Sequence, residues 1–490
     1  MSDRLLSGHE PLEAVLDGGL PGNAITLIVG RPGSGKTILA QQYVFRNGRP
    51  DRPAVYFSTV SEPLEKIVRF GQSLEFFDPA AIGTSVFYED LGAIVNRDGL
   101  PGVVEQIGRA IRERRPGVIV IDSFKALQAY ADGYGEFRKF LHELVGRLGA
   151  FPVASLWVGE YEETEIPAMA EFAVADAILA LTAEQIGQRE ARFLQVKKLR
   201  GSGFRSGQHA YRLTASGLRL FPRLADLPIN EEYPLGRIRV SSGIPALDDM
   251  LAEGYWPGAS TLIAGPSGSG KTLMGLHFVV NGARQGQPGV IASLQENPTQ
   301  LERILQGFGW SLTEPNVKVM YRSPVDIYID EWAHDLLETV ADTGAQRVLI
   351  DSLADLRMSA GDEIRFREFI YSLVQRFSRQ GVSVLMTFEI PQLFGADQLS
   401  DTAVSHLSDN VVVLSYVREH DITARSIAVI KTRATTHDPA VRRFTIGSAG
   451  IVLDEPDSTD NSAVGIGSRQ TRPRASGKRQ SPGARHRSRS

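Results

Sequence analysis

The pattern Gly-x-x-x-x-Gly-Lys-Thr occurs twice in these 490 residues, and no other feature constrains the fold as strongly. The first copy is Gly30, Arg31, Pro32, Gly33, Ser34, Gly35, Lys36 and Thr37. The second is Gly265, Pro266, Ser267, Gly268, Ser269, Gly270, Lys271 and Thr272. Each follows a short apolar run, and each run has a related lead-in, Leu12-Glu-Ala-Val-Leu16 and Leu247-Asp-Asp-Met-Leu251. Lys36 and Lys271 are 235 positions apart, and two further matched features lie 229 and 233 positions apart. Three offsets this close mark two homologous halves rather than a chance recurrence.

Each half alternates β-rich apolar runs with amphipathic stretches. Residues 24–29, 54–58, 117–121 and 153–158 read as strands of the first half, and 260–264, 289–294, 347–350 and 382–388 as strands of the second. The runs are nearly continuous in Val, Ile and Leu, as expected of parallel strands covered on both faces. Helical patterns such as 103–114 and 366–378 separate them, which predicts an α/β fold. Later stretches, 193–199 with 211–213 and 427–431 with 444–446, read as a hairpin extension of each half. The expected organisation is a first domain over 1–223, a linker over 224–237 and a second domain over 238–456. A disordered basic tail is expected over 457–490, where Ser, Gly, Arg and Pro dominate.

Composition narrows the class. With 42% hydrophobic and 22% charged residues the chain is neither wholly disordered nor fibrous. No run of 18 apolar residues predicts a transmembrane helix, and the start has no apolar signal core. The absence of cysteine excludes disulfides, thiolate metal sites and thiol nucleophiles, and fits a cytoplasmic protein. The net charge of −4 conceals an asymmetry. Eight of the 53 basic residues fall in 461–490, which holds none of the 57 acids. The tail therefore carries +8 and residues 1–460 carry −12. Such a tail either binds nucleic acid or another polyanion electrostatically or is simply a solvated end.

Between a strand and a helix, the Gly-Lys-Thr pattern is a phosphate cradle. Its glycines let backbone N–H groups wrap phosphate oxygens, and the following helix presents its positive dipole end. Lys36 or Lys271 reaches the β- and γ-phosphates of ATP, and the hydroxyl of Thr37 or Thr272 binds Mg²⁺. The second matched feature is an apolar strand ending in Asp122-Ser123 or Asp351-Ser352. An acid at that edge of the sheet can hold the metal. The third is a late strand bearing Lys198-Leu-Arg200 or Lys431-Thr-Arg433, with Lys and Arg on one face.

Taken together, the doubled cradle, the Leu-rich lead-ins, the Ile-Asp-Ser strand ends and the late Lys-x-Arg strands resemble the KaiC family of circadian-clock ATPases and its bacterial and archaeal relatives. The resemblance covers about residues 5–450. It implies two tandem RecA-like P-loop domains in a two-tiered hexamer, with ATP between neighbouring subunits. It also implies that Lys198, Arg200, Lys431 and Arg433 act on the ATP of the adjacent subunit. The family places two adjacent Glu after its second strand, one of which polarises the attacking water. Here only the second acid of each pair is present, Glu62 after Ser61 and Glu296 after Gln295. Slow hydrolysis is the expectation, since a Gln orients water without accepting its proton. The family's Ser-Thr autophosphorylation pair is represented by Ser405 and His406, so a serine autokinase with Ser405 as acceptor is the form expected, if there is one.

The leading functional expectation is a KaiC-like ATP-hydrolysing regulatory protein, self-associating and answering to an unidentified regulatory partner, with no membrane involvement. The alternatives are a RecA-like DNA-transaction ATPase that uses the basic tail and an assembly that binds nucleotide structurally.

Overall fold

The computed structural model describes residues 4–59, 64–162, 165, 169–186, 189–224, 236–390, 406–419, 422–433 and 435–455. The tail over 457–490 and most of the expected linker lie outside them.

The first half is built on nine strands: β1 (Ile25–Gly30), β2 (Ala54–Ser58), β3 (Val86–Asp90), β4 (Val118–Asp122), β5 (Ala154–Gly159), β6 (Ala177–Ile186), β7 (Arg189–Leu199), β8 (His209–Thr214) and β9 (Gly217–Phe221). The second half repeats them as β10 (Ser260–Gly265), β11 (Gly289–Ser293), β12 (Val317–Tyr321), β13 (Arg347–Asp351), β14 (Ser383–Glu389), β15 (Asn410–Glu419), β16 (Ile422–Lys431), β17 (Arg442–Gly447) and β18 (Gly450–Leu453). The first sheet runs β9-β8-β7-β6-β1-β5-β4-β2-β3, and the second runs β18-β17-β16-β15-β10-β14-β13-β11-β12. In each, six strands are parallel and the last three are added antiparallel. The fold is therefore α/β, with two tandem, mostly parallel sheets.

The parallel strands read as unbroken apolar runs because helices cover both faces. Val55 and Phe57 point to one side, among Val103, Ile107, Phe137 and Leu141 of helices Gly92–Arg114 and Tyr134–Gly149. Ala54 and Tyr56 point to the other, against Leu39, Tyr43 and Val44 of helix Lys36–Asn47. The expected helix over 103–114 is the last part of Gly92–Arg114, which is broken at Gly99 (φ 62°) just before Pro101. The sequence reading lacks β3, β6 and β9 in the first half and β12, β15 and β18 in the second; β3 and β12 escape it because they are edge strands with polar residues among the apolar ones.

The halves meet where β8 and β9 of the first sheet approach helix Ile329–Thr343 of the second half. Arg212 donates to Glu331 and lies 3.9 Å from the ring centre of Tyr328. Arg189 donates to the Ile327 carbonyl at 2.7 Å, and Tyr328 donates to the Glu190 carbonyl at 2.9 Å. Among the described residues no helix is long and apolar enough to cross a membrane.

Candidate functional site

Both cradles sit between a buried strand and a helix that starts at the motif lysine. Gly35 and Gly270 cap those helices with φ of 87° and 107°, a left-handed backbone that favours glycine. A Cβ on Gly30 would stand 2.2 Å from the Leu181 carbonyl oxygen, and one on Gly265 would stand 2.7 Å from that of Leu414. The backbone therefore approaches its neighbour strand too closely for any side chain. The Ser34 and Ser269 hydroxyl oxygens are buried without a hydrogen-bond partner. Buried polar groups normally find partners, so an unmet hydroxyl in each loop suits a bound phosphate oxygen.

The lysines lie almost wholly buried, at 7% and 8% exposure. Lys36 Nζ donates to the Arg31 carbonyl and Lys271 Nζ to the Pro266 carbonyl, each at 2.8 Å. Burial pulls both ammonium groups below their usual pKa, opposed by Glu160 and Asp122 in one half and by Glu389, Asp351 and Glu296 in the other. A buried cation with a carbonyl rather than a tight carboxylate partner is poised for an incoming anion.

The structure brings each threonine to its strand-end acid. Thr37 Oγ1 donates to Asp122 at 2.8 Å, and Thr272 Oγ1 donates to Asp351 at 2.7 Å. A second hydroxyl completes each carboxylate, but from a different strand. Tyr56 of β2 donates to Asp122 at 2.6 Å, whereas Thr387 of β14 donates to Asp351. Asp351 is 4% exposed, and burial raises its pKa against the pull of Thr387, Thr272 and Lys271. Glu296 is half-buried, with one carboxylate oxygen lacking a partner. Its pKa is raised by burial first and then by Asp351 and Asp355. Gln295 beside it donates to Asp355 at 3.1 Å. Glu62 and Ser405 lie outside the described residues. Ser408, close to Ser405 in sequence, is fully buried.

The late basic strands do not join these clusters. Lys198 lies opposite Ile178, which lies opposite Leu27, so the Lys198–Arg200 end of β7 flanks the start of β1. Arg200 pairs with Asp176 at 3.3 Å, and Asp176 accepts the Ile25 N–H. The second half repeats this arrangement: Arg433 pairs with Asp409 at 3.4 Å, and Asp409 accepts the Ser260 N–H. The cradle lies beyond the opposite end of a six-residue strand, roughly 20 Å away at about 3.3 Å per residue. Burial lowers the pKa of Lys198 and of Lys431, helped by Arg200 and Arg433 respectively.

Sequence reasoning missed Glu160 and Glu389, which follow β5 and β14. Glu160 Oε1 lies 3.9 Å from Lys36 Nζ, and Glu389 is the largest charge drawing Lys271 toward protonation. Their separation of 229 positions equals that of Asp122 and Asp351, and that coincidence was the available signal. In the first half Lys36, Thr37, Asp122 and Glu160 line one cavity of about 960 Å³.

This geometry agrees with the comparisons. The family model ATPase: KaiC matches residues 6–225 and again 240–458. The chain is 28% identical over 474 residues to the circadian clock protein KaiC3 of Synechocystis, covering 93% of this chain and 92% of that protein. It is 27% identical over 470 residues to the circadian clock oscillator protein KaiC of Synechococcus elongatus, covering 92% and 88%. The corresponding protein of Picosynechococcus is 26% identical over 462 residues, covering 91% and 88%. Two matched family domains, two phosphate cradles and two strand-end acids place this chain in the KaiC family of ATP-binding ATPases.

Proposed function

We propose that the protein is an ATP-hydrolysing regulatory oligomer with two unequal sites, one in each of the domains 1–223 and 238–456, and with ATP held between neighbouring subunits of a hexameric ring. The cradle of each half binds the phosphates through Lys36 or Lys271. Thr37 with Asp122, and Thr272 with Asp351, offer a hydroxyl and one carboxylate, a sparse oxygen set that suits Mg²⁺ completed by phosphate oxygens and water. The metal would supply charge neutralisation on the phosphates. Glu296, its pKa raised by burial and one buried carboxylate oxygen unmet, would accept the proton of an attacking water. Glu62 takes that role in the first half.

The observation that carries the oligomer is the separation of each Lys-x-Arg strand from its own cradle. A side chain at the start of β1 cannot reach a phosphate at its far end. Arg200 and Arg433 therefore serve a neighbouring subunit or no nucleotide at all. A cation supplied in trans contributes about 10³–10⁵ in rate.

Subunit mixing tests this reading. In a Lys271→Ala background, Lys36→Ala and Arg200→Ala should each abolish phosphate release from the first site. Mixed subunits should recover part of it, because some interfaces then pair an intact cradle with an intact arginine. No recovery, together with a monomer in sedimentation at saturating Mg-ATP, would overturn the shared-site reading. Serine phosphorylation is the finer form of the proposal. Ser405 is its acceptor, and acid-stable label lost in Ser405→Ala is its signature.

A further inference from the structure

The first phosphate site carries two ion pairs whose residues the second lacks. The chain leaving β5 reads Glu160-Tyr161-Glu162-Glu163-Thr164-Glu165. Three of these acids each face a different cation at the cradle. Glu160 lies 3.9 Å from Lys36, Glu162 accepts from Arg31 at 3.0 Å, and Glu165 accepts from Lys125 Nζ with both oxygens, at 2.9 and 2.8 Å. Tyr161 pins the segment between them: its ring is buried and its hydroxyl donates to Glu171 at 2.8 Å. Lys125 Nζ stands 5.1 Å from that ring's centre. Lys125 also lines the same 960 Å³ cavity as Lys36, Thr37 and Asp122.

The second half lacks both partners of the two extra pairs. Counted from the motif lysines, Arg31 corresponds to Pro266; counted from the strand-end acids, Lys125 corresponds to Ala354. Counted from Glu160 and Glu389, Glu162 corresponds to Pro391 and Glu165 to Phe394. Cation and acid are present together in one half and absent together in the other. An exposed ion pair adds little to stability, and Arg31 with Glu162 is of that kind, at 68% and 56% side-chain exposure. Lys125 with Glu165 is more enclosed, at 27% and 32%, and faces the cavity that receives the phosphates.

We propose that Lys125 is a second phosphate-neutralising cation of the first site, and that Glu165 holds it until a nucleotide triphosphate takes its place. The exchange is one ion pair for another, with no bond made or broken. It rests on the reading of the cradle as an ATP site. A triphosphate offers a denser charge than one carboxylate, so it wins the ammonium, while a diphosphate competes less well. Lys125 follows Asp122 by three residues and lines the same cavity, so the proposal assigns it to the terminal phosphate. The acidic segment thus makes the empty first site self-neutralised and tilts it toward ATP over ADP. The second site has no such selection.

Nucleotide titration of the full chain carrying Lys271→Ala isolates the first site. Lys125→Met should weaken Mg-ATP binding roughly tenfold to a hundredfold, and Mg-ADP binding by less than about threefold. Glu165→Gln should tighten Mg-ATP binding by about threefold to tenfold, because the competing carboxylate is gone. The double variant should match Lys125→Met alone, and Lys125→Arg should keep most of the affinity. Unchanged ATP affinity in Lys125→Met, or unchanged or weaker affinity in Glu165→Gln, would reduce the pair to a surface ion pair and overturn the proposal. If Lys125→Met fails to fold, Glu165→Gln decides alone. A parent that binds neither nucleotide would sink the ATP reading itself and this inference with it.

Discussion

The two halves share a backbone plan and differ in the groups that serve it. The clearest pair is Gln42 and His277, each five residues past its motif threonine. Gln42 Oε1 accepts the Leu218 N–H at 3.1 Å, and His277 Nε2 accepts the Ile451 N–H at 3.0 Å. Both tie the phosphate-loop helix to the edge hairpin of the sheet, and both side chains are buried. The amide does this at any pH. The imidazole does it only when neutral, and burial lowers its pKa to about 4 from 6.5. The same position is thus insensitive to acid in one half and sensitive in the other. The tethers of the strand-end acids differ similarly, Tyr56 on one flank of Asp122 and Thr387 on the other flank of Asp351. Equivalent geometry does not imply equivalent response.

The largest expected effect concerns the acid proposed to activate water. Glu296→Gln in a Lys36→Ala background should lower turnover by about 10²–10⁴ while leaving nucleotide bound. Glu62→Gln in a Lys271→Ala background is the matched arm. Equal losses would show that the halves share one mechanism at this step, and a loss confined to one would make them chemically distinct.

Next comes acid stability. His277 is more easily protonated in the unfolded chain than in the folded one. Its contribution to stability is complete above about pH 6.5 and falls away as the pH drops toward 4, by about 3 kcal/mol in all. Urea unfolding between pH 7 and 4 should show the second half weakening first. His277→Gln, which copies Gln42, should flatten that dependence. A slope that survives the substitution would assign acid sensitivity elsewhere.

A smaller difference is expected at the tethers. Thr387→Val and Tyr56→Phe each strip one hydroxyl from a carboxylate, at about 1–3 kcal/mol. The loss should be greater for Thr387, since Asp351 is the more buried acid. Urea midpoints of the two variants compare them directly, and equal shifts would mean that burial does not separate the two acids.

What the sequence disclosed was whatever is local along the chain. Cradles, strand-end acids and late basic strands are contiguous words repeated at a near-constant offset, so they could be read before any contact was known. Four of the six parallel strands in each sheet were legible for the same reason, as unbroken apolar runs, whereas Ala177–Ile186 and Asn410–Glu419, which pair in parallel with the cradle strands, went unread. The edges were not legible either: Val86–Asp90 and Val317–Tyr321 mix polar with apolar residues. The partners of the acids were also hidden, because Tyr56 and Thr387 reach Asp122 and Asp351 across strands 36 to 66 positions away. Lys125 and Glu165, 40 positions apart, belong to no motif and meet only through the fold. That the Lys-x-Arg ends of these strands lie at the sheet edge opposite the cradles follows from register, which no single-sequence pattern encodes.

Strand β8 has two audiences. Tyr211 on one face donates to the Ser34 carbonyl of the first cradle at 2.6 Å, and its neighbour Arg212, on the opposite face, grips Glu331 of the second half. A pleated strand cannot turn one face without turning the other. The wall of the first cradle is therefore also a footing of the second domain, and the first site borrows part of its stiffness from a body that does not touch its ligand.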